Sequence, residues 1–370
     1  MILLNDFKRQ WEETRETALD TFEAVGASGW YVLGAQVRDF EAALASFWGL
    51  PHCVGVASGL DALEIGLRVL GCKPGDRVLT TPVSAFATAL AIVKLGAVPV
   101  FVDTDDYGLM DLAAARETLV RRPEIRFMIP VHLYGHALDM HELAALRREL
   151  GVAIVEDCAQ SIGASFDGVM AGTAGQIAAT SFYPTKNLGA LGDGGALLTQ
   201  SEKWAQAARH LRDYGQTAKY RHDVIGYNSR LDELHAALLN HVYLPLQERW
   251  GARRREIARR YCAELRNERI AVPGAPPHSD SGWHLFPVFV DAGAKPDFMA
   301  HLRRDEILSA EHYPIAVPDQ HALAPGAFEV EGDLARARRV CATEVSLPIH
   351  PYLTDDEVGR VVAACNAWAR

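Results

Sequence analysis

Short apolar runs alternate with longer amphipathic stretches through the first half of the chain. The runs at 52–57, 77–80, 98–102, 125–131 and 153–157 read as buried strands, and 58–71, 86–96, 111–121 and 139–150 read as helices between them. Such alternation predicts an α/β fold with a mixed, mostly parallel sheet between helices, and ligands at the carboxyl ends of its strands. Ahead of it, residues 1–36 predict an N-terminal arm and helix. Val37, Phe40, Leu44 and Phe47 then recur at helical spacing over 37–48. Further on, 177–182 and 195–199 predict an antiparallel addition to the sheet, and 201–213 a helix. A polar loop over 214–230 then breaks into one long helix whose apolar spacing continues to about Leu265. The rest predicts a smaller C-terminal α/β domain: strands at 284–290 and 345–348, helices at 296–305 and 354–369, the last with a capping box of Thr354 and Glu357. The division is expected near Pro245, giving a large domain over 1–245 and a small one over 246–370.

The chemistry concentrates between the paired runs. The stretch SFYPTKNLGALGDGG (181–195) sets Lys186 between an apolar strand and the glycines at 189, 192, 194 and 195, which let the backbone fold back tightly. A lysine held against apolar neighbours loses solvation, so its pKa falls and its amine becomes a nucleophile of the Schiff-base kind. The run AIVEDCAQSIGA (153–164) ends a strand in Glu156 and Asp157, carboxylates expected to point into a site. The order strand, Ser58–Gly59, helix predicts an anion site at first-turn amides.

The pair EDCAQSIGA and SFYPTKNLGALGDGG resembles the signature of the DegT/StrS-type sugar aminotransferases, a branch of the fold-type I pyridoxal phosphate enzymes. Matching segments run from about Gly29 to Pro351. The resemblance implies that Lys186 holds pyridoxal 5'-phosphate and, once freed, moves the proton, while Asp157 keeps the pyridine nitrogen protonated. It further implies that Gly59, Leu60 and Ser181 hold the phosphate, that Phe86 stacks on the ring, and that Gln160 contacts the ring's phenolic oxygen or holds the aldimine. Asn228 would reach a neighbouring subunit's phosphate, making a homodimer with shared active sites. Tyr183, Arg230, His312 and Tyr313 would contact substrate, with His132 and Tyr134 as wall or packing residues. The implied reaction moves an amino group from an amino acid, L-glutamate by resemblance, to a keto group of a nucleotide-linked sugar. The segment SGLDAL resembles that of members acting at the 3-keto carbon of dTDP-6-deoxyhexoses, whereas AVPDQHA (316–322) departs from the family's usual form.

Three other readings stand beside this one. In a few relatives that act as sugar dehydratases, histidine replaces the lysine, and the presence of Lys186 argues against that route. A pyridoxal phosphate-binding regulator would need no substrate pocket, and no added basic module is evident. A nicotinamide enzyme is disfavoured because the glycines at 189–195 lack GxGxxG spacing.

Charge narrows the partners. A net charge of −10 argues against a general nucleic-acid binder and requires local cations and amides to capture anionic substrates. The six cysteines form no CxxC pair and suit reduced thiols in the cytoplasm. No metal-ligand spacing appears, and no apolar run is long enough to span a membrane, so neither a metal nor a membrane is expected.

Overall fold

The computed structural model describes residues 1–324 and 326–369. The buried apolar runs become β1 (His52–Val56), β2 (Arg77–Thr80), β3 (Val98–Val102), β4 (Phe127–Ile129), β5 (Ala153–Asp157), β6 (Ile177–Ser181) and β7 (Gly195–Thr199). They are followed by β8 (Phe286–Phe289), β9 (Glu329–Glu331) and β10 (Glu344–Leu347). Eight of these form one sheet in the order β1-β7-β6-β5-β4-β2-β3-β9. Neighbours from β9 across to β6 are parallel. Only β7 runs against its neighbours, pairing antiparallel with both β6 and β1. The expected antiparallel pairing through the lysine loop is present: the tight loop turns β7 back along β6, while β6 itself continues the parallel sheet.

The helices are α1 (Phe7–Ser28), α2 (Ala35–Trp48), α3 (Gly59–Val69), α4 (Phe86–Lys94), α5 (Leu112–Arg121), α6 (Met140–Leu150) and α7 (Glu202–Arg212). After them come α8 (Glu233–Leu238), α9 (Gln247–Glu264), α10 (Lys295–Arg304), α11 (Ala335–Thr343) and α12 (Asp355–Ala367). The capping box of Thr354 and Glu357 opens α12. The long helix expected after residue 230 is not continuous. A π-helical turn (Leu239–Tyr243) and a tight turn (Leu244–Leu246) separate α8 from α9. Pro245 has no N–H to give and its ring crowds the carbonyl one turn earlier, so the ladder loosens there. Asp232 precedes α8 but makes no capping bond with its side chain. Glu233 instead caps a distant helix, accepting the N–H groups of Gly34, Gln36 and Val37 at the start of α2.

Strands β8 and β10 pair antiparallel, and α9, α10 and α12 pack against them around Tyr261, Phe286, Phe298 and Trp368. Packing crosses residue 245 in two places. Ile2 belongs to this second core, and residues beyond 245, including Val317, Leu334 and Val340, pack into the core of the large sheet. The sequence Glu-Val-Glu of β9 carries no apolar run, yet it adds the edge strand beside β3, with Arg77 and Arg122 holding its carboxylates.

Candidate active site

Side chains alternate along β5, so its two terminal carboxylates part company. Asp157 reaches the cleft above the strand ends. It accepts the Thr88 hydroxyl at 2.9 Å and the Ala159 N–H at 3.1 Å, and Thr88 is itself bonded to Ser84 at 2.8 Å. Glu156 does not enter the site, contrary to expectation. It is fully buried on the other face, accepting the N–H groups of Gly172 (2.9 Å) and Gly175 (2.5 Å) and lying 2.8 Å from His132 Nε2. Because His132 Nδ1 accepts the Leu138 N–H at 3.1 Å, the ring hydrogen sits on Nε2 and points at Glu156. His132, Glu156 and Cys158 lie close enough together to suggest a metal site. The imidazole and the carboxylate are already committed, so they clasp the backbone instead.

Lys186 stands in the turn between β6 and β7. Pairs Phe182 N–Gly194 O (2.8 Å) and Ala190 N–Phe182 O (2.7 Å) close the loop, and the Lys186 N–H bonds Tyr183 O at 2.8 Å. Gly189 is required there, since a Cβ would sit 2.4 Å from Pro184 O. The side chain is half-buried, but protein crowds its amine enough that desolvation lowers the pKa to about 8, with the Asp157 charge opposing the drop. Burial raises the Asp157 pKa, opposed by its two hydrogen bonds and then by Lys186. Each group thus feels the other across the cleft.

The start of α3 closes a third side. Ser58 caps the helix by accepting the Asp61 N–H at 3.1 Å, leaving the first-turn N–H groups of Gly59 and Leu60 without intrahelical acceptors. A Cβ on Gly195 would lie 2.4 Å from the Ser58 carbonyl, and one on Gly59 would lie 2.6 Å from Ser181 Cβ. These two glycines therefore bring helix start, strand end and Ser181 together. Ser181 Oγ accepts the Tyr183 N–H at 3.2 Å and keeps its own hydrogen to donate. The resulting cradle of amides and a hydroxyl fits a phosphate, and the Lys186–Asp157 pair beside it fits the aldehyde and ring nitrogen of pyridoxal phosphate.

Phe86 opens α4, half-buried, two residues before Thr88. Gln160 is held at both ends: its Oε1 accepts the Tyr134 N–H at 2.7 Å and its Nε2 donates to Tyr313 Oη at 3.1 Å. Tyr134 Oη donates to His312 O at 2.7 Å, tying the 312–313 loop to the large sheet. Tyr183 is exposed, and Asn228 is exposed with no side-chain hydrogen bond among the described residues. Arg230 turns to Asp213 (2.9 Å) and lies over the Tyr214 ring at 5.0 Å. Two contacts escaped the sequence reading. Thr88 was hidden by its place inside an apolar helix. Ser229 is buried between Asn228 and Arg230, donates to Asp61 at 2.7 Å and accepts the Ala57 N–H at 3.1 Å, drawing the 228–230 segment against the start of α3.

The chain is similar along its length to proteins of known name and structure. A dTDP-3-amino-3,4,6-trideoxy-alpha-D-glucose transaminase of Streptomyces venezuelae is 39% identical over 366 residues, covering 98% of this chain and 95% of the relative. The Erythromycin biosynthesis sensory transduction protein EryC1 of Saccharopolyspora erythraea is also 39% identical, over 371 residues, covering 98% of each. The crystal structure of S. venezuelae DesV in complex with a ketimine intermediate superposes with a TM-score of 0.94 at 39% identity, covering 99% of this chain and 98% of the other. The DegT/DnrJ/EryC1/StrS aminotransferase family matches residues 12–366, nearly the whole chain, and the chain belongs to that family.

Proposed function

We propose that this protein is a pyridoxal phosphate-dependent aminotransferase that moves an amino group from an amino acid, L-glutamate by family resemblance, to the C3 keto group of a dTDP-linked deoxy sugar. The observation that carries the reading is the placement of the Lys186 amine and the Asp157 carboxylate beside one phosphate-shaped cradle. The Streptomyces venezuelae relative, a dTDP-3-amino-sugar transaminase by name, supports the choice of acceptor. The bound cofactor supplies an electrophilic carbon and a ring that takes up electrons. The chain supplies the rest. With a pKa of about 8, the Lys186 amine has a sizeable uncharged fraction near neutral pH, so it serves as nucleophile and as proton carrier. Asp157, fixed by Thr88 and Ala159, holds the proton on the ring nitrogen. Gly59, Leu60 and Ser181 bind the phosphate, Phe86 covers a ring face, and Gln160 meets the ring's oxygen side.

For substrate, the reading assigns Tyr183, Arg230, His312 and Tyr313. It assigns Asn228 to the cofactor phosphate of a second subunit, in a homodimer with shared active sites. The exposed Asn228 side chain and the exposed Tyr214, Tyr220 and Ile225 of the same loop support that placement. The described residues contain no helix long and apolar enough to cross a membrane. Five of the six cysteines are buried and all six are free, which supports a reducing compartment, the cytoplasm. The test is to incubate holoenzyme and glutamate with a panel of nucleotide-linked keto sugars and weigh the products. Amination of a dTDP-linked 3-keto sugar is expected. Turnover confined to amino-acid exchange, with no sugar aminated, would overturn the assignment.

A further inference from the structure

Strand β10 places Glu344 and Ser346 on one side, facing the loop that carries His312. The Glu344 carboxylate is fully buried. Its Oε2 accepts the His312 backbone N–H at 2.7 Å, its Oε1 accepts the Ser346 hydroxyl at 2.6 Å, and Ser346 Oγ lies 2.9 Å from His312 Nδ1. A serine hydroxyl has one hydrogen, and a charged carboxylate can only accept. While Glu344 is charged, Ser346 gives it that hydrogen, so the hydrogen between serine and ring must sit on Nδ1. Nε2 is then a bare acceptor. Together with Thr185 of the lysine loop and His284, the ring borders a cavity of about 310 Å³. Protonating Glu344 reverses each donor: the carboxyl O–H turns to Ser346, Ser346 turns to Nδ1, and the ring hydrogen moves to Nε2.

We propose that Glu344 and Ser346 are positioning residues that set the tautomer of His312, so that Nε2 accepts a hydrogen bond from a hydroxyl of the acceptor sugar when Glu344 is charged. The assignment of sugar to this cavity rests on the function proposed above. The surroundings are compatible with such a switch. Glu344 is faced by Lys295 of α10, which pairs with Glu311 at 2.6 Å and donates to Cys341 O at 2.9 Å, and by Tyr134, Tyr313 and the Cys341 thiol. Burial lifts Glu344 to about 7, against the pull of Ser346, the His312 N–H and Lys295. His312 is faced by Lys186, Glu311 and His284, and burial first, then Lys186, lowers it to about 4. The ring therefore stays neutral, and its tautomer changes in place of its charge.

The variant Glu344→Gln tests this with almost no change of shape. Its oxygen keeps the His312 N–H, so its amide NH₂ faces Ser346 and imposes the other tautomer at every pH. Long-range proton–nitrogen spectra of ¹⁵N-histidine holoenzyme, with the ring assigned by His312→Asn, read the tautomer directly. The wild type is expected to carry Nδ1–H well above pH 7 and Nε2–H well below it, and Glu344→Gln to carry Nε2–H throughout. Loss of one hydrogen bond should lower kcat/KM for the acceptor sugar roughly tenfold in Glu344→Gln, with the glutamate half-reaction within about twofold. Ser346→Ala, which cuts the relay, should abolish the pH dependence of the tautomer and gives a second variant should Glu344→Gln fold poorly. One tautomer shared by wild type and Glu344→Gln, or a wild-type ring indifferent to pH, overturns the proposal. If no keto sugar is aminated the proposed function fails, and the spectra still decide for or against the relay.

Discussion

Thr88→Val isolates the setting of the Asp157 carboxylate. Valine keeps the β-branched shape of threonine, so helix and packing persist, but it deletes the 2.9 Å hydrogen bond to Asp157 Oδ2 and strands Ser84 Oγ. Thr88 and Asp157 are 1% and 6% exposed, so water does not readily replace the lost donor. A hydrogen bond to a charged group contributes about 1.5–3 kcal/mol. The loss falls on the charged form of Asp157, whose pKa burial already raises. In the proposed function, Asp157 must be charged to hold the proton on the cofactor's ring nitrogen. The proton-transfer step should therefore slow roughly ten- to hundredfold, at about tenfold per 1.36 kcal/mol. Stopped-flow absorbance of holoenzyme mixed with glutamate reads that step alone. The slowing should be greatest at low pH and shrink as pH rises, because base restores the charged carboxylate. A wild-type rate, or a defect equal at all pH values, would refute the argument that Thr88 acts through the charge on Asp157.

Three further outcomes are expected. Lys186→Ala should lose the visible absorbance of lysine-bound pyridoxal phosphate and all turnover without a lower unfolding temperature, since burying its amine is unfavourable. A spectrum like the wild type's would show that another residue holds the cofactor. Gly195→Ala puts a Cβ 2.4 Å from the Ser58 carbonyl, which must move, so pyridoxal phosphate affinity should fall by an order of magnitude, about 1.4 kcal/mol, within the usual overpacking range. Titration of apoenzyme followed by fluorescence tests this, and unchanged affinity would show that the α3 start does not grip the phosphate. Mixing inactive Lys186→Ala and Asn228→Asp subunits should restore part of the activity, because the proposed shared site would gather both lesions in one half of the mixed dimer. Mixtures that stay inactive, while each variant still dimerises, would place Asn228 in its own chain's site.

What the chain says by itself is local. Strands β2, β3 and β5 carry the boundaries their apolar runs predict, because a strand buried on both faces must be apolar along its length. The turn around Lys186 is legible because only glycine permits so close a return, and α12 because its capping box lies within four consecutive residues. Tertiary structure decided what depends on partners distant in sequence. Glu233 reads as a helix-start residue of α8, yet it caps α2 some 197 positions away. Glu156 and Asp157 look alike in the sequence, and only the sheet, with helices on both faces, sends one to the cleft and the other to a buried clasp with His132. Strand β9 has no apolar signal of its own because an edge strand needs only one partner, and β3 supplies it. Glu344 and Ser346 share a side of β10 by strand alternation, but nothing in the sequence relates them to His312, which lies 32 and 34 positions away, and they meet it because β10 runs beside the loop that faces Lys186. Periodicity records which face of an element is buried. It carries no record of which side chain waits on the other side, and the hydrogen bonds that tune this site are made there.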